Sequence, residues 1–180
     1  MLFRSYAKGF TLLTKQPWTP QADYRASLAL RSERTVIDSS APYALRLEQI
    51  YRPAIELSPA VTAKVSIRKR TPPARPGETA LAAPRRELGT FDGVSRDLRE
   101  TPFPMELDLA GVEDGAMVID AEVFDGTTSL GAASLGVFVS KGLDAKLKTL
   151  DAAASTAPEP VRADIAYPVD FIHNVNRGRI

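Results

Sequence analysis

The sequence predicts an all-β protein, an immunoglobulin-like antiparallel β-sandwich with a C-terminal helical extension, and three observations carry that prediction. Several short stretches alternate apolar and polar residues with a period of two, prolines and glycines separate them, and beyond Ser140 the apolar spacing lengthens to that of a helix. The clearest stretch is Gly115 to Ser140. Met117, Ile119, Ala121 and Val123 share one side of an extended chain, with Asp120 and Glu122 on the other. Asp125-Gly126 suits a tight turn, and Leu135, Val137 and Val139 resume the alternation, so a β-hairpin is expected.

The other elements follow in chain order. Tyr6, Phe10 and Leu13 have helical spacing, and Pro17 ends that segment. Tyr24 to Arg31 reads as a first strand, with Tyr24, Ala26, Leu28 and Leu30 on one face. Asp38 to Pro42 is turn chemistry. A second strand holds Tyr43, Leu45 and Leu47, and a third holds Val61, Ala63, Val65 and Ile67. From Arg70 to Arg86, Pro72, Pro73, Pro76, Pro84 and Gly77 break any ladder, which predicts a long exposed loop. An edge strand over Arg86 to Phe91 and a strand through Met105, Leu107 and Leu109 precede the hairpin. Phe-Asp-Gly occurs at 91–93 and again at 124–126, and both copies are expected to be hairpin turns. Leu143, Leu147, Leu150 and Ala154 then form one helical stripe. Pro158 and Pro160 restart the chain ahead of Val161 and Ile165, and Pro168 is expected to open a third short helix or turn carrying Val169, Ile172 and Val175. This divides the chain into an N-terminal segment (1–22), a sandwich (23–140) and a helical linker or extension (141–180). Met1 to Ser5 resembles a translated sequencing-adapter tail, so a secretory signal lost by truncation and a secreted or periplasmic location are both expected.

Composition removes several function classes. A length of 180 residues suits one domain with its own core, and a net charge of +1 argues against a nucleic-acid or acidic-membrane surface as the main partner. Arg70, Arg75, Arg85 and Arg86 gather in the proline-rich loop without interleaved aromatic residues, which reads as a solvated loop. No run of apolar residues is long enough to span a membrane. There is no cysteine, hence no thiolate nucleophile, and a single histidine, His173. Asp92, Asp97, Glu100, Glu113 and Asp114 lack the alternating spacing of a calcium loop, so no metal is expected. No glycine-rich phosphate loop precedes a helix, so no cofactor is expected either. Trp18, Tyr24, Tyr43 and Tyr51 could build a sugar-binding platform, but packing is the commoner use of such residues.

One catalytic pattern stands out. Ala132-Ala133-Ser134-Leu135-Gly136 fits a relaxed nucleophile elbow, and Ser134, then Asp164 or Asp170, then His173 follow the chain order of a hydrolase triad. The context opposes it. An elbow serine stands on a strained turn between strand and helix, whereas Ser134 runs directly into the strand Leu135 to Val139. No catalytic residue is therefore assigned.

The C-terminal third carries a resemblance. Leu143-Asp144-Ala145-Lys146-Leu147, then Val161-Arg162-Ala163-Asp164-Ile165-Ala166-Tyr167-Pro168-Val169-Asp170, then Val175-Asn176-Arg177-Gly178 resemble the segment that joins an immunoglobulin-like N-terminal domain to an α/β-hydrolase domain in some bacterial esterases. Those esterases look like relatives of the poly(3-hydroxybutyrate) depolymerase and dienelactone hydrolase group. The resemblance implies a non-catalytic accessory module whose partner is an adjacent hydrolase domain of the same polypeptide. A free-standing carbohydrate- or protein-binding envelope module is the alternative, followed by a small hydrolase using Ser134 and His173.

The proline-rich loop generates a direct test. Limited trypsin digestion should cut first between Arg70 and Arg86, since prolines remove ladder bonds there and arginines supply cleavage sites. Mass spectrometry of the first fragments reads the position, and resistance of that stretch would show it to be packed.

Overall fold

Alternating side chains and tight turns fold into two sheets that share one core. The structure, a computed structural model, describes residues 27–51, 61–72, 83–94, 98 and 101–178. The expected helix at 6–16, Trp18 and Tyr24 lie outside the described residues, as does most of the proline-rich loop. The strands are β1 (Ser27–Arg31), β2 (Val36–Ile37), β3 (Tyr43–Tyr51), β4 (Val61–Lys69), β5 (Arg85–Asp92), β6 (Phe103–Leu107), β7 (Gly115–Asp125) and β8 (Thr128–Val139). Two helices follow, α1 (Leu143–Thr156) and α2 (Val161–Asn176).

One sheet has the order β1-β3-β6 and the other β2-β8-β7-β4-β5. All pairings are antiparallel except β2 with β8, which is parallel. Placing the first described strand in one sheet, the next at the edge of the other, and later strands in both is an immunoglobulin-like sandwich arrangement. The expected hairpin is central, since β7 pairs with β8 on one side and β4 on the other. Asp125 faces Thr128 across Gly126-Thr127, and Gly126 has φ of 59°, which a side chain would disfavour. The period-two residues meet in the middle: Leu45, Leu47 and Leu107 from one sheet against Val61, Val65, Ile119 and Val139 from the other. Leu47, Val65, Ile119 and Val139 are fully covered, each worth roughly 1.5–3 kcal/mol of burial.

Three expectations need correction. Phe91-Asp92-Gly93 is no hairpin turn: it ends the edge strand β5, and the next strand, β6, lies in the opposite sheet. Arg85 already belongs to β5, so the loop expected to run to Arg86 stops at Pro84. The residues after Pro160 make one continuous helix through Pro168, where a separate third element was expected. Proline leaves the Asp164 carbonyl without its usual donor, a cost that Val169 and Ile172 offset by packing on the first helix.

That packing also answers what covers the leucine stripe. Leu143 and Leu147, with Leu150 half-buried, meet Val169 and Ile172 of α2 and Val36 of β2 in a second, small apolar cluster. The stripe is thus covered chiefly by its neighbouring helix, with Val36 of β2 completing the cluster. Two polar anchors fix the helix pair in place. The Asn176 side-chain Oδ1 accepts from the N–H groups of Thr35 (2.9 Å) and Val36 (2.8 Å), while its Nδ2 donates to the Val36 carbonyl at 3.1 Å. Asn176 therefore behaves as one more rung on the outer edge of β2, the edge an open sheet would leave unpaired.

Asp38 is the second anchor. It is 9% exposed, and its carboxylate accepts from the backbone N–H of Ser40 (2.8 Å), Gly142 (2.9 Å) and Asp144 (3.0 Å). The first is the turn read from the sequence; the other two are orphan donors at the start of α1, capped from a residue more than a hundred positions away. Gly142 permits the arrangement because its φ of 69° suits a residue without a side chain. Burial pushes the Asp38 carboxyl upward, but the three N–H donors and the Ser40 hydroxyl outweigh burial and hold it below the ordinary 3.8. Arg34 adds a bidentate contact to Asp144 at 2.5 and 3.3 Å, worth under about 1 kcal/mol because both side chains are substantially exposed.

Removing either anchor should loosen the helix pair before the sandwich. Asp38→Ala is expected to cost about 1–2 kcal/mol and Asn176→Ala about 1–3 kcal/mol in denaturant unfolding. Leu147→Ala, which opens the small cluster, should cost about 2–5 kcal/mol. Amide hydrogen exchange should be slow in both 143–154 and 169–176, and fast exchange confined to α2 would contradict the anchoring. The folded carboxyl of Asp38 titrates below its unfolded value, so its stabilisation is fully present above about pH 4 and is lost as pH falls through the folded value. Asp38→Asn should accordingly flatten the acid limb of the stability curve.

Candidate functional site

Ser134, the serine of the elbow-like pattern set aside in the sequence, lies on the outward side of the five-stranded sheet. Along β7 and β8 the residues that alternate with the core ones point to solvent, and the register sets Asp120 opposite Ser134. The Ser134 hydroxyl donates to Asp120 Oδ1 at 2.5 Å, and Arg68 Nε of β4 donates to Asp120 Oδ2 at 2.7 Å, with Arg85 Nη2 of β5 further off at 3.9 Å. Burial pushes the Asp120 carboxyl up, but the hydrogen bonds from Arg68 and Ser134 and the two guanidinium charges hold it below the usual value. An anionic, saturated carboxylate is a poor base. Ser134 spends its proton on it, stands on a regular strand, and has no histidine as partner.

His173 is elsewhere. It is exposed in the last turn of α2, beside a shallow depression lined by Ser32, Glu33, Arg34 and Thr35. Asp164 and Asp170 lie on exposed positions of the same helix. The chain order that suggested a triad is thus not matched in space, and the geometry of acyl transfer, with nucleophile hydrogen-bonded to base and base to acid, is not assembled.

Several other residues weighed in the sequence take structural roles. Tyr43 is 5% exposed in the core and its hydroxyl donates to the Arg34 carbonyl at 2.7 Å, so it packs rather than forming a sugar platform. Asp108 accepts from the Ala110 N–H at 2.8 Å and closes a turn, while Asp114, just before β7, accepts from the N–H of Lys141, beyond the end of β8, at 2.8 Å. Among the described residues no three His, Asp or Glu side chains gather as metal ligands would. Arg86, expected in a solvated loop, donates to the Ala110 carbonyl at 2.8 Å. Lys64 sits 5.0 Å above the Phe124 ring, a weak surface contact.

Among the described residues, two surfaces combine a groove or an apolar patch with charged neighbours. One is a groove of about 520 Å³ at the helical end of the three-stranded sheet, walled by Arg31, Arg34, Pro42, Arg46 and Pro104. Arg31 and Arg46, cross-strand neighbours, share the Glu48 carboxylate at 3.6 and 2.6 Å, and Arg34 is taken by Asp144. Its charges are largely satisfied within the protein. The other is the solvent face of α2, where Tyr167 is 68% and Phe171 45% exposed, with ring centroids 6.2 Å apart. The sequence reading gave neither residue a place on a helix face, because Pro168 hid the continuity of α2 and hence which side is inward.

Comparison with known proteins yields no matching family model and no matching curated protein. Among solved structures, the chain is similar to Escherichia coli alpha-2-macroglobulin activated by porcine elastase, at 11% identity and a TM-score of 0.45, over 69% of this chain and 13% of that one. It is also similar to a conjugative transposon lipoprotein from Bacteroides eggerthii, at 14% identity and a TM-score of 0.34, over 66% of this chain and 99% of that one. The chain thus spans a small part of the macroglobulin's length. At these values neither likeness bears on function.

Proposed function

We propose that this chain is a non-catalytic β-sandwich accessory module that positions an adjacent esterase or hydrolase domain of the same polypeptide. The observation that carries the reading is the way the helical extension is fixed to the sandwich. Asp38 caps α1, Asn176 pairs with β2, and the two helices close a small core with Val36. A helix pair held at both ends transmits orientation, which is what a positioning module needs and what a flexible tether lacks. The second support is the resemblance of 143–178 to the segment that joins such a sandwich to an α/β-hydrolase domain. The third is the use of Ser134 and Asp120 in a surface hydrogen-bond cluster.

The 180-residue chain should show no turnover of p-nitrophenyl acetate or butyrate above a buffer blank. Turnover that disappears in Ser134→Ala would overturn the non-catalytic reading and restore the small-hydrolase one. The coding sequence beyond Ile180 tests the partner: an α/β-hydrolase domain there supports the module, and a stop codon favours a free-standing binding domain.

A further inference from the structure

The solvent face of α2 carries a stacked, exposed aromatic pair. On a helix, residues three and four apart stand above one another, so Ala163, Asp164, Tyr167, Asp170, Phe171 and Asn174 line the side opposite the packed Ile165, Val169, Ile172 and Asn176. Of these outward residues only Asn174 is part-covered. Tyr167 and Phe171 form the middle of the face, stacked at an interplanar angle of 29°. Asp164 lies to one side of them and Asp170 to the other. The cations are at the helix ends: Arg162 is directed to the Ala157 carbonyl and Glu159, and Arg177 follows the last turn.

We infer that the Tyr167–Phe171 face of α2 seats in an apolar groove rimmed by lysine or arginine on the neighbouring domain of the same polypeptide, an inference that rests on the accessory-module reading. Charge selects this occupant over two others. A second copy placed face to face would set Asp164 and Asp170 against the same two acids, a like-charge arrangement that opposes association. An anionic membrane would meet the same acids, whereas helices that lie on such membranes flank their apolar strip with lysine and arginine. A basic-rimmed protein groove is complementary on both counts.

Area points the same way. Two aromatic side chains of roughly 150–250 Å² each, about half exposed, offer about 200 Å² of contact, well below the ~800 Å² per partner of a stable free-standing interface. Within one polypeptide the effective concentration of the partner is of the order of millimolar, so a small patch with two aromatic anchors suffices. The anchoring of α2 by Asn176 supplies the pre-organisation that such a small patch depends on.

The test uses the whole polypeptide that the gene encodes, with p-benzoylphenylalanine placed at Tyr167, irradiated and mapped by mass spectrometry. The expected product is an intramolecular crosslink to a residue outside 1–180, within an apolar surface bearing lysine or arginine. Asp164→Lys with Asp170→Lys should lower its yield about fivefold while leaving the circular dichroism unchanged. Crosslinks joining two copies through 161–176, or binding of the chain to phosphatidylglycerol vesicles through this face, would overturn the inference. If a hydrolase domain is present but Tyr167 crosslinks elsewhere or not at all, the docking face fails while the accessory reading stands. If the polypeptide holds no hydrolase domain, the accessory reading fails and this inference with it.

Discussion

The two residues of β2 are where the two cores of this molecule meet, and the rest of the structure depends on how that short strand is held. Its backbone continues the five-stranded sheet alongside β8, with the Phe138 N–H donating to the Thr35 carbonyl at 2.7 Å and the Ser140 N–H to the Ile37 carbonyl at 3.0 Å. Its side chains divide, because successive residues of a strand point to opposite faces. Ile37 enters the sandwich core and Val36 enters the helical cluster. Two residues cannot hold an edge by their own ladder bonds, so the far side of β2 is completed by Asn176, and Asp38 immediately after it captures the start of α1. Strand, cap and helix end therefore stabilise one another.

Much of this architecture was legible in the residues. Period-two alternation in Tyr43–Leu47, Val61–Ile67 and Met117–Val123 marked strands whose inward residues are those found buried. The Leu143, Leu147, Leu150 and Ala154 stripe marked α1. What escaped were features with no local signature. A strand of two residues has no period to read. Asn176 bonds a backbone 140 positions earlier, and Asp38 bonds one more than a hundred positions later, so neither contact leaves a mark on neighbouring sequence. Pro168 misled for a physical reason: it removes one helical hydrogen bond, and only tertiary packing of Val169 decides that the helix continues regardless. The catalytic pattern, already opposed by its strand context in the sequence, is a different case. Ser134 matched a pattern of residue types, but what a hydroxyl does depends on its partner, and across the ladder that partner is a carboxylate already held by Arg68.

The outer sheet face shows why a serine beside an aspartate is here structural. A carboxylate on an exposed face gains from donors at both oxygens, and Asp120 finds them on both neighbouring strands, Arg68 on β4 and Ser134 on β8. Such cross-strand contacts contribute a few tenths to about 1 kcal/mol each and help fix the register of the three strands. Activation of the hydroxyl for attack would require the reverse arrangement, with a neutral base accepting the proton and with backbone donors waiting for an oxyanion. A regular ladder has its N–H groups committed to neighbouring strands, so the interior of a sheet cannot supply that hole.

A helix that is apolar on both sides is ordinarily buried on both sides. α2 has an inward face of Val169 and Ile172 against α1 and an outward face of Tyr167 and Phe171 in water. The inward face and Asn176 already suffice to hold the helix, so the aromatic pair contributes little to the stability of the sandwich and would be free to vary if stability were its only role. Two large rings kept in water at fixed orientation forgo the burial free energy that either would gain in a groove, roughly 1.5–3 kcal/mol for a ring fully covered. That unrealised free energy is available to whatever covers them. Because the same helix is clamped to β2 through its last turn, a partner seated on the rings is oriented with respect to both sheets and not merely tethered to them.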